Sequence, residues 1–184
     1  MLRTIIFNGS PRKNGDTKSI LNEFVKYLDG EYKIVDTYYC NIKPCLDCRY
    51  CWENTGCCQK DEWQEIDQYI RECDNIVIAS PIYFSELTGQ LLNAVSKVQS
   101  YWSARYFRKE EIITKCKKGG IILIGGGDGH MSTPIEMATC ILHHMKVKNI
   151  APEICCHDTN NQPAINQDYV INAIKEMADF LNKK

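Results

Sequence analysis

Five of the chain's eleven cysteines fall within KPCLDCRYCWENTGCCQ, residues 43–59. Cys45, Cys48, Cys51 and Cys57 read C-x2-C-x2-C-x5-C. Thiolates three residues apart reach neighbouring corners of a compact iron-sulfur cluster, and a fourth closes it. Structural zinc asks for two C-x2-C hooks separated by roughly a dozen residues or more, and here the second hook is missing. A thioredoxin-type dithiol belongs at a helix start directly after the first strand, whereas this loop follows the second strand-like segment and carries extra cysteines. The alternative to a cluster is a set of free or air-oxidised thiols. Cys58 is a spare or exchange ligand. Cys73, Cys116, Cys140, Cys155 and Cys156 lie in or beside apolar segments, which predicts small buried hydrophobes.

Three other stretches carry chemistry. NGSPRKNGDTKSI, residues 8–20, has two glycines that let the backbone approach a ligand, and Ser10, Thr17 and Ser19 add hydroxyl donors. The helix start that follows offers unpaired N–H groups and a positive dipole to a phosphate. Composition alone equally fits an ordinary capped turn. SPIYFSE, residues 80–86, presents Pro81, Ile82, Tyr83 and Phe84 as an apolar or aromatic wall for a flat ring, or as the end of a core strand. GGGDGHMS, residues 125–132, allows close backbone approach to a ligand, or is a glycine-rich turn with none. His130, His143 and His144 show no evident carboxylate partner, and adjacent His143 and His144 in a helix point apart, which predicts surface or interface positions.

The elements that must position these loops alternate along the chain. LRTIIFN (2–8) reads as a strand, and TKSILNEFVKYLDG carries apolar residues at helical spacing. The pattern repeats with YKIVDTYY as strand, DEWQEIDQYIREC as helix, NIVIAS as strand and TGQLLNAVSKVQSYW as helix. GGIILIG follows as strand, then TPIEMATCILHHM as a helix with a Thr cap and Pro134 in its first turn. A strand near 147–155 and a helix from about 166 close the series. Five strands each followed by a helix require crossovers that cover both faces of a parallel sheet, a doubly wound α/β domain. Ligands then sit beyond the carboxyl ends of the strands, where the loops after strands one, three and four lie.

Composition bounds the function. A chain of 184 residues with 44% hydrophobic content suits a single domain, 1–184, with a cysteine-rich insertion at about 40–60. A net charge of −1 with scattered basic residues argues against nucleic acid. No apolar run approaches the roughly 20 residues of a membrane span. With an N-terminus that runs straight into a strand-like segment, this predicts a cytoplasmic protein, and the odd cysteine total further disfavours a disulfide framework.

GSPRKNGDT resembles the phosphate loop of flavodoxin-like NAD(P)H-dependent FMN reductases, where Gly-Ser-Pro-Arg-Lys-x-Gly-Asn-Thr is frequent. SPIYFSELTGQLLNAV, residues 80–95, resembles that family's isoalloxazine loop and following helix, and the cysteine loop is similar to that of its iron-sulfur flavoprotein branch. The resemblance implies a three-layer sandwich with a five-stranded parallel sheet in the order 2-1-3-4-5. It implies FMN held by Ser10, Arg12, Asn14, Gly15, Asp16 and Thr17 at the phosphate, by Pro81, Ile82, Tyr83 and Phe84 at the ring, and by Gly126 and Gly127. It further implies an oxidoreductase that takes a hydride from NAD(P)H and passes electrons to a small-molecule or protein acceptor. The alternative it implies is an electron carrier in which FMN and a [4Fe-4S] cluster on the four spaced cysteines exchange electrons with ferredoxin. A homodimer or homotetramer is expected, with the 40–60 loop and SYWSARYF as contact surfaces. Asp16 departs from the family's Asn; a carboxylate beside a phosphate is unfavourable unless it is turned away, and we expect it to cap the first helix through the N–H of Lys18 or Ser19.

Overall fold

The computed structural model describes residues 1–183; Lys184, the last residue of the expected domain, lies outside them. Its strands and helices alternate: β1 (Arg3–Asn8), α1 (Asp16–Phe24), β2 (Glu31–Asp36), α2 (Tyr50–Glu53), α3 (Trp63–Glu72), β3 (Asn75–Pro81), α4 (Gly89–Val95), α5 (Gln99–Ser103), β4 (Lys117–Ile124), α6 (Ser132–His144), β5 (Val147–Ile150), β6 (Ile154–Cys156) and α7 (Val170–Asn182). The sheet is parallel in the order β2-β1-β3-β4-β5, the flavodoxin-like arrangement.

Strand periodicity sorts the side chains into two cores. Ile5, Phe7, Ile76, Ile78, Ile121 and Leu123 point to one face, where they pack with Trp63, Ile66 and Ile70 of α3, Leu91 of α4 and Leu142 of α6. Their neighbours Ile6, Val77, Ala79, Ile122 and Ile124 point to the other face, against Ile20, Leu21 and Phe24 of α1 and Ile174, Met177 and Leu181 of α7. Successive strand residues face opposite ways, so two adjacent apolar residues serve both cores; this is why the central strands read as unbroken apolar runs. Each covering helix buries one stripe, as α3 does with Trp63, Ile66 and Ile70.

Several expectations are corrected. The fifth strand is broken: β5 and β6 both pair with β4, and the intervening Pro152 has no N–H to contribute to a ladder. The helix expected over 88–102 is α4 and α5 joined by a 3-10 turn at Ser96–Val98, and it runs on into a π turn at Ala104–Arg108. Thr133 does not cap α6; Met131 holds that position without a side-chain cap bond, and Thr133 lies inside the first turn. β2 stops at Asp36 because the N–H groups of Tyr39 and Cys40 both turn back to the Asp36 carbonyl. Cys73 and Cys156 are buried and Cys155 is half-buried, but Cys116 and Cys140 are exposed. Cys116 lies on the connection into β4, and Cys140 falls between the buried Ala138 and Leu142 on the outer side of α6. Tyr101, expected at a contact surface, is buried and donates its hydroxyl to Asp67 Oδ1 at 2.6 Å. Among the described residues no helix is long and apolar enough to cross a membrane.

Candidate functional site

A cleft of about 210 Å³ opens beyond the carboxyl ends of β1, β3 and β4. Its first wall is the loop into α1. Asn8 Oδ1 accepts from the N–H of Ser10 at 3.1 Å, and Ser10 Oγ accepts from the N–H of Arg12 at 3.2 Å, so the loop coils tightly before the helix. α1 begins at Asp16 with Gly15 as its N-cap and no side-chain cap bond. The first N–H groups of a helix have no intrahelical acceptor, which leaves donors and the positive dipole end facing a ligand here. Ser10, Pro11, Arg12, Gly15, Asp16 and Thr17 line this end. Asn14 does not line the cleft; it lies on the exposed outer side of the loop. The expected Asp16 cap is also corrected: its Oδ1 accepts from the backbone N–H of Ala164 at 2.8 Å.

The second wall follows β3. Pro81, Ile82 and Tyr83 line the cleft, and Ile82 N–H donates to the Ile124 carbonyl at 2.9 Å. Tyr83 and Glu86 then exchange backbone hydrogen bonds at 3.1 and 3.0 Å around Phe84 and Ser85, whose φ values are +53° and +60°. A two-residue turn with both central residues left-handed normally calls for Asn or Gly, so this one is strained. Phe84 sits at its tip, fully exposed and away from the cleft lining.

The third wall joins two segments. Ile124 and Gly126 line the cleft after β4, while Gly127 stands outside it. The residues after β6 zip onto this loop: Asp158, Thr159 and Asn160 donate N–H bonds to the carbonyls of Gly127, Gly125 and Gly126 at 3.0, 3.1 and 3.3 Å. Asn160 lies over Gly126, where a Cβ would come within 2.9 Å of its carboxamide. Thr159 and Asn160 thereby become lining residues that sequence reasoning missed; the weak sign was the polar run DTNNQ after an apolar strand.

The donor set suits a phosphorylated planar ligand such as FMN. Uncapped helix N–H groups, two hydroxyls and Arg12 gather at one end, and Pro81, Ile82 and Tyr83 form an apolar wall at the other.

The cysteines meet elsewhere, in a smaller pocket of about 30 Å³ lined by Cys45, Cys48, Cys51, Cys57 and Cys58 together with Arg49, Trp52, Lys97 and Ser103. Cys48 Sγ and Cys58 Sγ lie 3.3 Å apart, and Cys51 Sγ lies 3.5 Å from Ser103 Oγ. Cys57 packs against the apolar core under the loop. Among the described residues no three His, Cys, Asp or Glu side chains converge closely enough to ligate an ion as they stand. The Tyr50 N–H and then the Cys58 thiol hold the Cys48 pKa below the usual thiol value, while the bond to Cys48 raises that of Cys58. The loop is anchored at both ends by Asp61, which accepts from the N–H groups of Lys43 (2.9 Å) and Trp63 (3.0 Å) and pairs with Lys97. Sequence reasoning missed this pair; its sign was a lysine three residues after Ala94 and four before Tyr101, on the buried stripe. His130 and His143 are exposed, and the half-buried His144 places Nδ1 3.0 Å from the Arg105 guanidinium. Burial, then Arg105, lowers its pKa.

Several known proteins are similar to this chain. An iron-sulfur flavoprotein of Archaeoglobus fulgidus is 27% identical over 147 residues, which cover 78% of this chain and 62% of that protein. One from Clostridioides difficile is 34% identical over 95 residues, covering 48% of this chain and 42% of its own. The chain therefore spans less than two thirds of the length of these relatives. The NAD(P)H:quinone oxidoreductase of Methanothermobacter marburgensis superposes with a TM-score of 0.71 at 15% identity, covering 100% of this chain and 98% of that one, which speaks to the fold alone. A family model described as NADPH-dependent FMN reductase matches residues 2–161, and the chain belongs to that family.

Proposed function

We propose that the protein is an FMN-dependent oxidoreductase that accepts a hydride from NAD(P)H and passes the electrons to a small-molecule or protein acceptor. The observation that carries this reading is the cleft beyond β1, β3 and β4, with an uncapped helix start at one end and an apolar wall at the other. When bound, the flavin supplies the redox chemistry. The α1 N–H groups, Ser10, Thr17 and Arg12 hold its phosphate. Pro81, Ile82 and Tyr83 shield one side of the ring from water, and Gly126 and Asn160 close the remaining wall. No side-chain acid or base is required for hydride transfer, so these residues bind and orient.

A second reading is favoured by the gathering of five thiols around one pocket. In it, Cys45, Cys48, Cys51 and Cys57 hold a [4Fe-4S] cluster and the protein exchanges electrons with ferredoxin; the thiol side chains must rotate inward for this. The cluster supplies one-electron chemistry. With either reading we place the protein in the cytoplasm, where thiols are kept reduced. The exposed Leu46, Tyr50, Tyr106 and Phe107 support a homodimer or homotetramer through the 40–60 loop and the segment after α5.

An anaerobic visible spectrum with flavin and iron counted per chain separates the readings. Flavin bands, little iron and rapid bleaching by NADPH support the reductase. About four irons with broad absorption support the carrier. A protein that neither copurifies with FMN nor takes it up rejects both.

A further inference from the structure

We propose that Cys48 and Cys58 are a redox-active thiol pair that closes to an intramolecular disulfide by exchange with a low-molecular-weight disulfide. Their sulfurs are 3.3 Å apart, and the step to a bond of about 2 Å requires side-chain rotation with modest loop adjustment. Both residues are exposed in the single chain, so a small oxidant reaches them wherever the 40–60 loop is not covered by a partner. Two other thiols of the pocket are engaged differently: Cys51 contacts Ser103, and Cys57 packs against the core.

The backbone is bent to make this contact. Asp47 and Arg49, on either side of Cys48, have φ of +48° and +63°, a conformation that costs any residue with a Cβ and persists where surrounding structure imposes it. Gly56, at φ +83°, turns the chain back so that Cys58 returns to Cys48. Arg108 donates to the Cys51 carbonyl, and Gln59 Nε2 donates to the Pro44 carbonyl at 2.8 Å, so both arms of the loop are held while the two sulfurs face each other.

The step balances as two exchanges. One thiolate of the pair attacks a sulfur of the small disulfide and expels one thiol. The second thiolate attacks the mixed disulfide, forms the Cys48–Cys58 bond and expels the other thiol. Two protons leave the pair and two electrons pass to the small disulfide, which ends as two thiols. A bridged Cys48 has no thiolate left for a metal, so disulfide and cluster exclude each other in one chain. The inference does not rest on the flavin reading.

The test uses the full chain, purified anaerobically, with its iron and flavin counted first. Oxidised glutathione is titrated in, free thiols are alkylated, and tryptic peptides are sequenced by mass spectrometry. Trypsin cuts after Arg49, so the expected bridge joins the peptide ending at Arg49 to the one spanning 50–60, with fragmentation placing it on Cys48 and Cys58. Cys58→Ser and Cys48→Ser are each expected to abolish the bridge and Cys57→Ser to retain it, and Cys58→Ser to keep the wild-type flavin content. Bridges scattered among the five cysteines, a bridge that survives in Cys58→Ser, or iron-loaded protein whose Cys48 resists the disulfide would overturn the proposal. Loss of the flavin reading shows separately, as colourless protein whose thiols still bridge.

Discussion

Asp16 Oδ1 accepts a hydrogen bond from the backbone N–H of Ala164 at 2.8 Å, tying the first loop of the cleft to a segment 148 residues away. That segment carries Thr159 and Asn160 into the cleft, so the carboxylate holds a wall in place. The carboxylate that sequence reasoning placed on the helix start has its charge partly spent on this bond.

Separating the charge of Asp16 from its bond gives opposite outcomes. Asp16→Asn keeps an oxygen for the Ala164 N–H while removing a negative charge from a phosphate cradle. Fluorescence titration of apoprotein with FMN is expected to show tighter binding, by about 1 kcal/mol or roughly fivefold. Asp16→Ala loses the bond as well, loosens the Ala164 end of the segment and weakens binding. Equal affinities for the two variants would show that Ala164 does not matter to the cleft.

Tyr83 and Phe84 are neighbours with different surroundings: the first lines the cleft and the second stands fully exposed at a left-handed turn. Tyr83→Ala is expected to weaken FMN binding by about 1 kcal/mol, the scale of an aromatic contact, while Phe84→Ala leaves it unchanged. A titration in which Phe84→Ala costs as much as Tyr83→Ala would return Phe84 to the ring wall.

What the sequence showed depended on how local the cause was. Ile5 and Ile6, or Ile121 and Ile122, carry strand and burial on both faces in their own types, so sheet and layers were legible. Ser10, Gly15 and Thr17 were legible because a loop and the helix it starts are contiguous. Asn160 was not, because its place over Gly126 depends on β6 pairing with β4 and on the zipped loop that follows. Phe84 stands off the cleft, where an apolar side chain had suggested a wall, because the turn between Tyr83 and Glu86 swings it outward. The Cys48–Cys58 contact depends on left-handed Asp47 and Arg49, residue types that do not announce that conformation.

Gly9, behind the cleft, and Gly126, which lines it, separate packing from binding. A Cβ on Gly9 would meet Thr88 Oγ1 at 2.9 Å, Ser80 Oγ at 3.0 Å and Leu91 Cβ at 3.1 Å, all in the packed interior. Gly9→Ala is expected to cost about 1–3 kcal/mol in thermal or denaturant unfolding. The three atoms nearest a Cβ on Gly126 all belong to the flexible Asn160 carboxamide, so Gly126→Ala is expected to leave unfolding within about 0.5 kcal/mol of wild type while displacing Asn160 and weakening FMN. A stable Gly9→Ala protein would mean that the β1 loop has room to shift.

The Asp61–Lys97 pair predicts how acid acts on the cysteine loop. Both side chains are fully shielded, at 0% exposure each. Burial by itself would raise the Asp61 pKa, but the bond from Lys97 and the N–H groups of Lys43 and Trp63 outweigh it and hold the carboxyl below its ordinary value. A carboxyl depressed in the folded state adds stability that is fully present above its unfolded pKa, near pH 4, and is lost as pH falls through the lower folded value. Wild-type unfolding free energy is therefore expected to drop below about pH 4 with a steeper slope than that of Asp61→Asn, which has no proton to gain there. Lys97→Met leaves Asp61 charged, shielded and without its cation at neutral pH, an arrangement that costs about 3–5 kcal/mol and lowers the melting temperature by roughly 10 °C. Pairing Asp61→Asn with Lys97→Met removes both charges and is expected to recover much of that loss, because the desolvation cost disappears with them. The carboxamide in place of Asp61 keeps one oxygen, enough for the N–H of either Lys43 or Trp63, so alkylation rates of Cys45 and Cys58 should return part of the way toward wild type in the double variant and stay high in Lys97→Met. Equal acid slopes for wild type and Asp61→Asn would show that the anchor is held by packing and not by charge.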